Sequence, residues 1–191
     1  MFNSIVVKFR KVLRRFILWA TVPHIKVYVV PNGRDMERKT GGAVGHDVYV
    51  RAIVFKDKMD QKFPYLRKTL YDFKSGSYAL KPGEKVLIGI GVIIDMEFPL
   101  FYLVIPRSGL ETKLNVTLAN RAPIDSDYRG EAAAYVENRS TETFYLEHSM
   151  RIAQIIFHNG VIPSKELVAN YEDLSVTDRG AKGFNSTGLN G

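Results

Sequence analysis

From His24 onward the chain alternates between short apolar, β-branched runs and brief polar breaks. Ile25-Lys-Val-Tyr-Val-Val, Asp47-Val-Tyr-Val-Arg-Ala-Ile-Val-Phe and Lys85-Val-Leu-Ile-Gly-Ile-Gly-Val-Ile-Ile are strand-like. So are Phe101-Tyr-Leu-Val-Ile, Val116-Thr-Leu-Ala, Ala132-Ala-Ala-Tyr-Val and Ile152-Ala-Gln-Ile-Ile-Phe. Branched and aromatic side chains suit a pleated, half-buried surface, and turn residues bound each run. Pro31-Asn-Gly, Lys81-Pro-Gly and His158-Asn-Gly supply turns, because Pro presets φ while Gly and Asn tolerate positive φ. Many short strands with little helical periodicity predict an all-β fold, a compact jelly roll or β-barrel. One short helix is expected after Arg107. Residues 56–77 are polar and poorly periodic, which predicts an insertion or long surface loop.

The two ends differ from this middle. Residues 1–20 fit an amphipathic helix at ~100° per residue, with Phe9, Val12, Leu13, Phe16 and Ile17 on one side. Lys8, Arg10, Lys11, Arg14 and Arg15 lie on the other. Residues 1–22 are therefore read as a basic extension, either a packing helix or a tether to an anionic membrane or nucleic acid. The apolar run from Phe16 is too short for the core of a signal peptide. At the other end, residues 175–191 are rich in Gly, Ser, Thr and Asn and read as a flexible arm, leaving 23–174 as the β domain.

Composition changes this picture in three ways. The net charge of +7 belongs mostly to the N-terminus, which holds five of those charges, so the domain itself is nearly neutral. The absence of cysteine excludes disulfides and thiol catalysis, and suits a reducing intracellular compartment, cytoplasmic or nuclear. The four histidines have no ligand spacing, so an all-protein zinc site is not expected. Whether a virus or a cell encodes the chain stays open.

Five stretches carry chemistry. Ala122-Pro-Ile-Asp125-Ser-Asp127-Tyr128-Arg-Gly130-Glu sets two carboxylates beside an aromatic in a turn bracketed by Pro123 and Gly130. A carboxylate there can take a proton from water, and a tyrosine offers a flat face to a sugar or base. Pro106-Arg107-Ser108-Gly109-Leu110 joins a guanidinium, a hydroxyl and free backbone N–H groups, a cradle for phosphate. Arg151-Ile-Ala-Gln154-Ile-Ile-Phe alternates, so Gln154 is free to face a ligand. Gly41-Gly-Ala-Val-Gly45-His46-Asp47 is a Gly-rich entry into a strand, and Arg179-Gly-Ala-Lys-Gly-Phe184-Asn-Ser186-Thr187-Gly can wrap an anion.

In order along residues 41–188, these stretches resemble the five signature motifs of the trimeric dUTPase family. Residues 1–22 and 56–77 lie outside the shared pattern. The resemblance implies a dUTPase-like jelly roll that hydrolyses dUTP to dUMP and pyrophosphate, with Mg²⁺ held mainly by the substrate phosphates. It implies that Asp125 activates water, with Gln154 assisting, and that Tyr128 packs on the deoxyribose beside Ile124. Arg107, Ser108, Gly109, Arg179, Ser186 and Thr187 would bind phosphates, Phe184 would close over the base, and Asp47 would support the metal through water. Asn120 stands where the family reads uracil. One residue fewer separates it from Asp125 than the pattern has, and Pro123 stands near a usual Gly. The family implies a homotrimer with shared sites. Two rivals remain: a regulatory or binding module on the same fold, and a dCTP deaminase. In the deaminase pattern a catalytic Glu is needed where Tyr135 stands.

Overall fold

The computed structural model describes residues 22–177, so the predicted N-terminal helix and the Arg179–Gly188 stretch lie outside the described residues. Thirteen strands and one α-helix follow in order among the described residues. They are β1 (Ile25–Val29), β2 (His46–Tyr49), β3 (Ala52–Met59), β4 (Arg67–Tyr71), β5 (Tyr78–Leu80), β6 (Lys85–Gly89) and β7 (Val92–Met96). There follow β8 (Leu100–Pro106), α1 (Ser108–Leu114), β9 (Val116–Leu118), β10 (Ile124–Asp125), β11 (Ala133–Asn138), β12 (Phe144–Leu146) and β13 (Arg151–Asn159). No described helix is long and apolar enough to cross a membrane.

Two larger antiparallel sheets, ordered β10-β8-β13-β2 and β4-β3-β6-β11-β9, are joined by two-stranded sheets β1-β7 and β12-β5. Among the described residues no sheet closes on itself, so the fold is mostly β but not a closed barrel. Val48, Ile53, Ile88, Val104, Val136 and Ile155, drawn from both large sheets, share one fully buried core. Burying each such side chain contributes roughly 1.5–3 kcal/mol. Past the register shift between Arg151 and Ala153, β13 alternates, with Ala153 and Ile155 buried and Gln154 between them half-exposed.

Two of the predicted strands break. The run from Lys85 divides at Gly91, whose φ of 77° takes it out of the extended region. Gly33 packs so closely on Gly91 that a Cβ at either position would collide with the other's backbone. This glycine pair seats the turn after β1 on the corner between β6 and β7. The run from Asp47 divides between β2 and β3.

Residues 56–77 are not a loop: β3 and β4 form a hairpin across most of them. Only Ala52 and Ile53 of β3 also pair with β6, and the strand is exposed beyond Phe55. An exposed two-stranded ribbon needs no apolar face, so its polar sequence read as loop. The expected helix after Arg107 is present as α1. It starts from extended Arg107 and ends at Asn115 in the left-handed region at φ 50°. The compact β unit closes at Gly160, earlier than residue 174, and residues 161–177 carry one 3-10 turn, Tyr171–Asp173.

Candidate functional site

The central strand pair β8–β13 carries chemistry at both ends. At the C-terminal end of β8, Gln154 lies opposite Ile105 on one side and opposite Asp47 of β2 on the other. Asp47 is 2% exposed, yet it is fully engaged. Its Oδ1 accepts from Gln154 Nε2 at 2.9 Å and faces Arg107 Nε at 3.3 Å. Its Oδ2 accepts from Arg151 Nη1 at 3.1 Å. One buried carboxylate thus orients two guanidiniums and an amide, and the three charges sum to a net positive face. Gly45 leaves room beside it, because a Cβ there would stand 2.9 Å from Gln154 Oε1 and push that amide aside. Arg107, Ser108, Gly109, Arg151 and Gln154 line a cavity of about 340 Å³. Such an arrangement binds anions.

The other end is built from β10 and the turn after it. Asp125 lies opposite Phe101, at the start of β8. It is exposed and makes no ion pair among the described residues. The Tyr128 N–H donates to the Asp125 carbonyl at 3.2 Å, closing the turn. The Tyr128 hydroxyl donates to the Glu131 carbonyl at 3.1 Å, while its ring remains 37% exposed. Gly130 makes this possible, since a Cβ there would strike the Tyr128 ring.

Below the turn, Glu131 is 1% exposed and accepts a two-pronged pair from Arg51 Nε and Nη2, each at 2.6 Å. It also accepts the Gly91 N–H at 3.0 Å. Arg129 ties the turn to Asp95 at 2.6 Å. The loop that presents Asp125 is therefore held from beneath by buried charge pairing, and the Asp125 carboxylate itself is left free.

A cavity of about 560 Å³ opens on this turn, lined by Asn120, Ile124, Asp125, Asp127 and Tyr128 with Leu87, Ala133 and Tyr135 of the sheet. The Asn120 Oδ1 accepts the Tyr135 N–H at 2.7 Å, which leaves its Nδ2 protons for a ligand. The expected pocket residues are thus brought together. Lys56 and Arg67, from the β3–β4 hairpin, line the same cavity. Nothing in their local sequence signalled this, because the hairpin had no strand pattern. Arg151 joins the cradle as well, and the cation at the head of the Arg-x-x-Gln run is its sign in the sequence.

Arg107 and Asp125 do not meet within one chain. Five residues of β8, Tyr102 to Pro106, stand between Phe101, opposite Asp125, and Arg107, and these six steps span about 20 Å at ~3.3 Å per residue. The two cavities share no lining residue. Arg179, Phe184, Ser186 and Thr187 lie outside the described residues.

A family model described as dUTPase matches residues 67–188. The chain belongs to the dUTPase family. The deoxyuridine 5'-triphosphate nucleotidohydrolase of Nautilia profundicola is 43% identical over 110 residues, covering 57% of this chain and 75% of that protein. The enzyme of the same description from Clostridium acetobutylicum is 40% identical over 111 residues, 58% of this chain and 74% of that protein. Among solved structures, a mutant Staphylococcus bacteriophage 80alpha dUTPase with dUpNHpp superposes with a TM-score of 0.65 at 21% identity. It covers 87% of this chain and 99% of that one. A mutant dUTPase from phage phi11 of S. aureus, described with a structural Mg(II) ion, gives 0.61 at 16% identity, covering 78% and 99%. The fold is dUTPase-like. Among the described residues no three carboxylate or imidazole groups gather to hold a metal ion.

Proposed function

We propose that this protein hydrolyses dUTP to dUMP and pyrophosphate, and that its working site is shared between copies in a homotrimer. The observation that carries the proposal is the placement of two complementary half-sites at opposite ends of β8. One half is a preorganised cationic cradle, and the other is a free carboxylate beside an aromatic pocket. A span of about 20 Å is too long for one α-phosphate to touch both halves, so a second chain must supply one of them.

In the assembled site, Asn120, Ile124 and Tyr128 hold the nucleoside, with Tyr128 against the deoxyribose. Asp125 removes a proton from water, and the water oxygen attacks the α-phosphorus in line. The bond from that phosphorus to its bridging oxygen breaks, and pyrophosphate leaves with the electron pair. Arg107, Ser108 and Gln154 of a neighbouring copy, with Gly109 leaving room for close approach, stabilise the charge on the phosphates, and Arg179, Ser186 and Thr187 add to this. Phe184 covers the base. Mg²⁺, a hard cation that keeps its waters, would be held mainly by the triphosphate of the substrate and would supply charge neutralisation there. The Asp47 carboxylate is already engaged by two guanidiniums and an amide, so its role is to aim those groups. A deaminase reading is weaker, because Tyr135 stands where that chemistry needs an acid.

Mixing two inactive variants tests the shared site. Asp125→Asn and Arg107→Ala are each expected to lose turnover. After subunit exchange the mixture should recover part of it, because some sites pair an intact Asp125 with an intact Arg107. A mixture as dead as its components would sink the shared-site proposal. Release of ammonia from dCTP, in place of pyrophosphate from dUTP, would reverse the choice of reaction.

A further inference from the structure

The pocket beside Tyr128 holds a guanidinium that the proposed reaction does not use. Arg67 is the first residue of β4, paired in register with Met59, and lies outside the five motif stretches. The hairpin carries it to the cavity lined by Asn120, Asp125 and Tyr128. One of its terminal nitrogens donates to the Lys56 carbonyl, which fixes the side chain. Its Nε is buried with no hydrogen-bond partner. A buried donor left unpaired is destabilising, and an acceptor on a ligand would remove that cost. Arg67 makes no ion pair with Asp125 or Asp127, so neutralising those carboxylates does not explain it.

The pocket's other donors are few. Pro123 has no N–H, and Asn120 donates only through its amide NH₂, its Oδ1 being an acceptor taken by the Tyr135 backbone N–H. The Tyr128 hydroxyl donates to Glu131. What remains is the Asn120 amide, Lys56 and Arg67, a set rich in N–H donors.

Resting on the dUTP reading above, we infer that Arg67 is a specificity-determining residue that donates to a carbonyl oxygen of the pyrimidine. Uracil presents an oxygen at C4, which accepts such a bond. Cytosine presents an amino group there, which would set donor against donor. A site built to bond one group rejects the analogue that lacks it far more strongly than a greasy pocket rejects a methylene. The β3–β4 hairpin thereby supplies base discrimination from outside the turn that carries Asp125. It offsets the shortened segment between Asn120 and Asp125.

The test measures binding of dUMP, dCMP and a non-hydrolysable dUTP analogue to the full chain and its variants. Arg67→Ala is expected to weaken dUMP by about 10–100-fold, since a lost charged hydrogen bond leaves its acceptor unpaired. The same factor is expected for the dUTP analogue, with little change for dCMP. Arg67→Met keeps the aliphatic stem over the pocket floor and should give the same pattern, should the alanine variant unfold. Lys68→Ala, an exposed neighbour on the same strand, serves as the charge control and should change nothing. Unchanged dUMP affinity would overturn the inference. So would an equal loss for dCMP, a loss confined to the triphosphate, or a matching loss in Lys68→Ala. Wild-type turnover of dUTP is read separately. Its absence would count against the proposed reaction while the dUMP-to-dCMP ratio still judges Arg67.

Discussion

Two aspartates on one four-stranded sheet have opposite surroundings. Asp47 is buried and holds Arg107, Arg151 and Gln154 with both oxygens. Asp125 is exposed, with no ion pair among the described residues, although buried charge pairing braces the loop beneath it. A carboxylate whose two oxygens already hold two guanidiniums and an amide can aim other groups but cannot take a proton from water without weakening its grip on them. A carboxylate on a braced turn with free lone pairs can. Position in the hydrogen-bond network, more than residue type, separates the carboxylate that organises other groups from the one we propose as base.

Asp125→Asn breaks the comparison from the reactive side and carries the largest expected effect. The amide keeps size and polarity but removes the base, so kcat should fall by roughly 10²–10⁴ with nucleotide affinity kept. Thermal stability should hardly move, because the side chain is exposed. A variant that turns over like the wild type would pass the role to Asp127, two residues on.

Asp47→Ala breaks it from the other side, and two readouts should fall together. Arg107 and Arg151 are 35% and 41% exposed and can be rehydrated, so losing their charged hydrogen bonds should cost about 1.5–3 kcal/mol and lower the thermal midpoint. The freed arginines lose their aim, and the affinity for triphosphate should weaken more than that for dUMP, whose base pocket lies elsewhere. Arg51 and Glu131 make a useful contrast. Breaking that pair should lower stability and loosen Tyr128, and the cradle at the far end of β8 should stay as it was. A loss of activity in Asp47→Ala without loss of stability would show that the carboxylate acts on substrate directly.

The parts of this arrangement that the sequence showed are those built from contiguous residues. Arg107-Ser-Gly and the turn from Ile124 to Gly130 each place their chemistry within one short stretch, so the spacing alone was informative. The rest depends on register. Arg51 and Glu131 are 80 residues apart, and Asp47 meets Gln154 across 107. Such pairs follow from which strands are neighbours, which alternation does not reveal. Arg67 was hidden twice, first because an exposed ribbon has no apolar face, and again because its role depends on where that ribbon folds. Gly91 read as part of a long strand because its neighbours are all strand-formers, and only the close packing of Gly33 shows why a corner is there.

The smallest expected effect concerns His46, the neighbour of Asp47. Its ring stands edge-on to Phe157 at 5.6 Å, and its Nδ1 is buried without a partner. Burial, followed by the charge of Arg38, holds its pKa below the usual 6.5, against the smaller opposing pull of the Ile155 and Val44 carbonyls and Asp35. The folded chain therefore binds this proton less readily than the unfolded chain. Stability from this group is complete above pH 6.5 and is lost as pH falls through the lower, folded value. His46→Phe keeps the edge-on ring contact, removes the unpaired nitrogen and removes the titration. It should raise stability by about 1 kcal/mol at neutral pH and by more at pH 5, with dUTP turnover unchanged. Denaturant unfolding at the two pH values would measure it. A variant that is less stable at both would show that the imidazole is bonded in solution. A fall in turnover would mean that the ring, like Asp47 beside it, helps to aim the phosphate cradle.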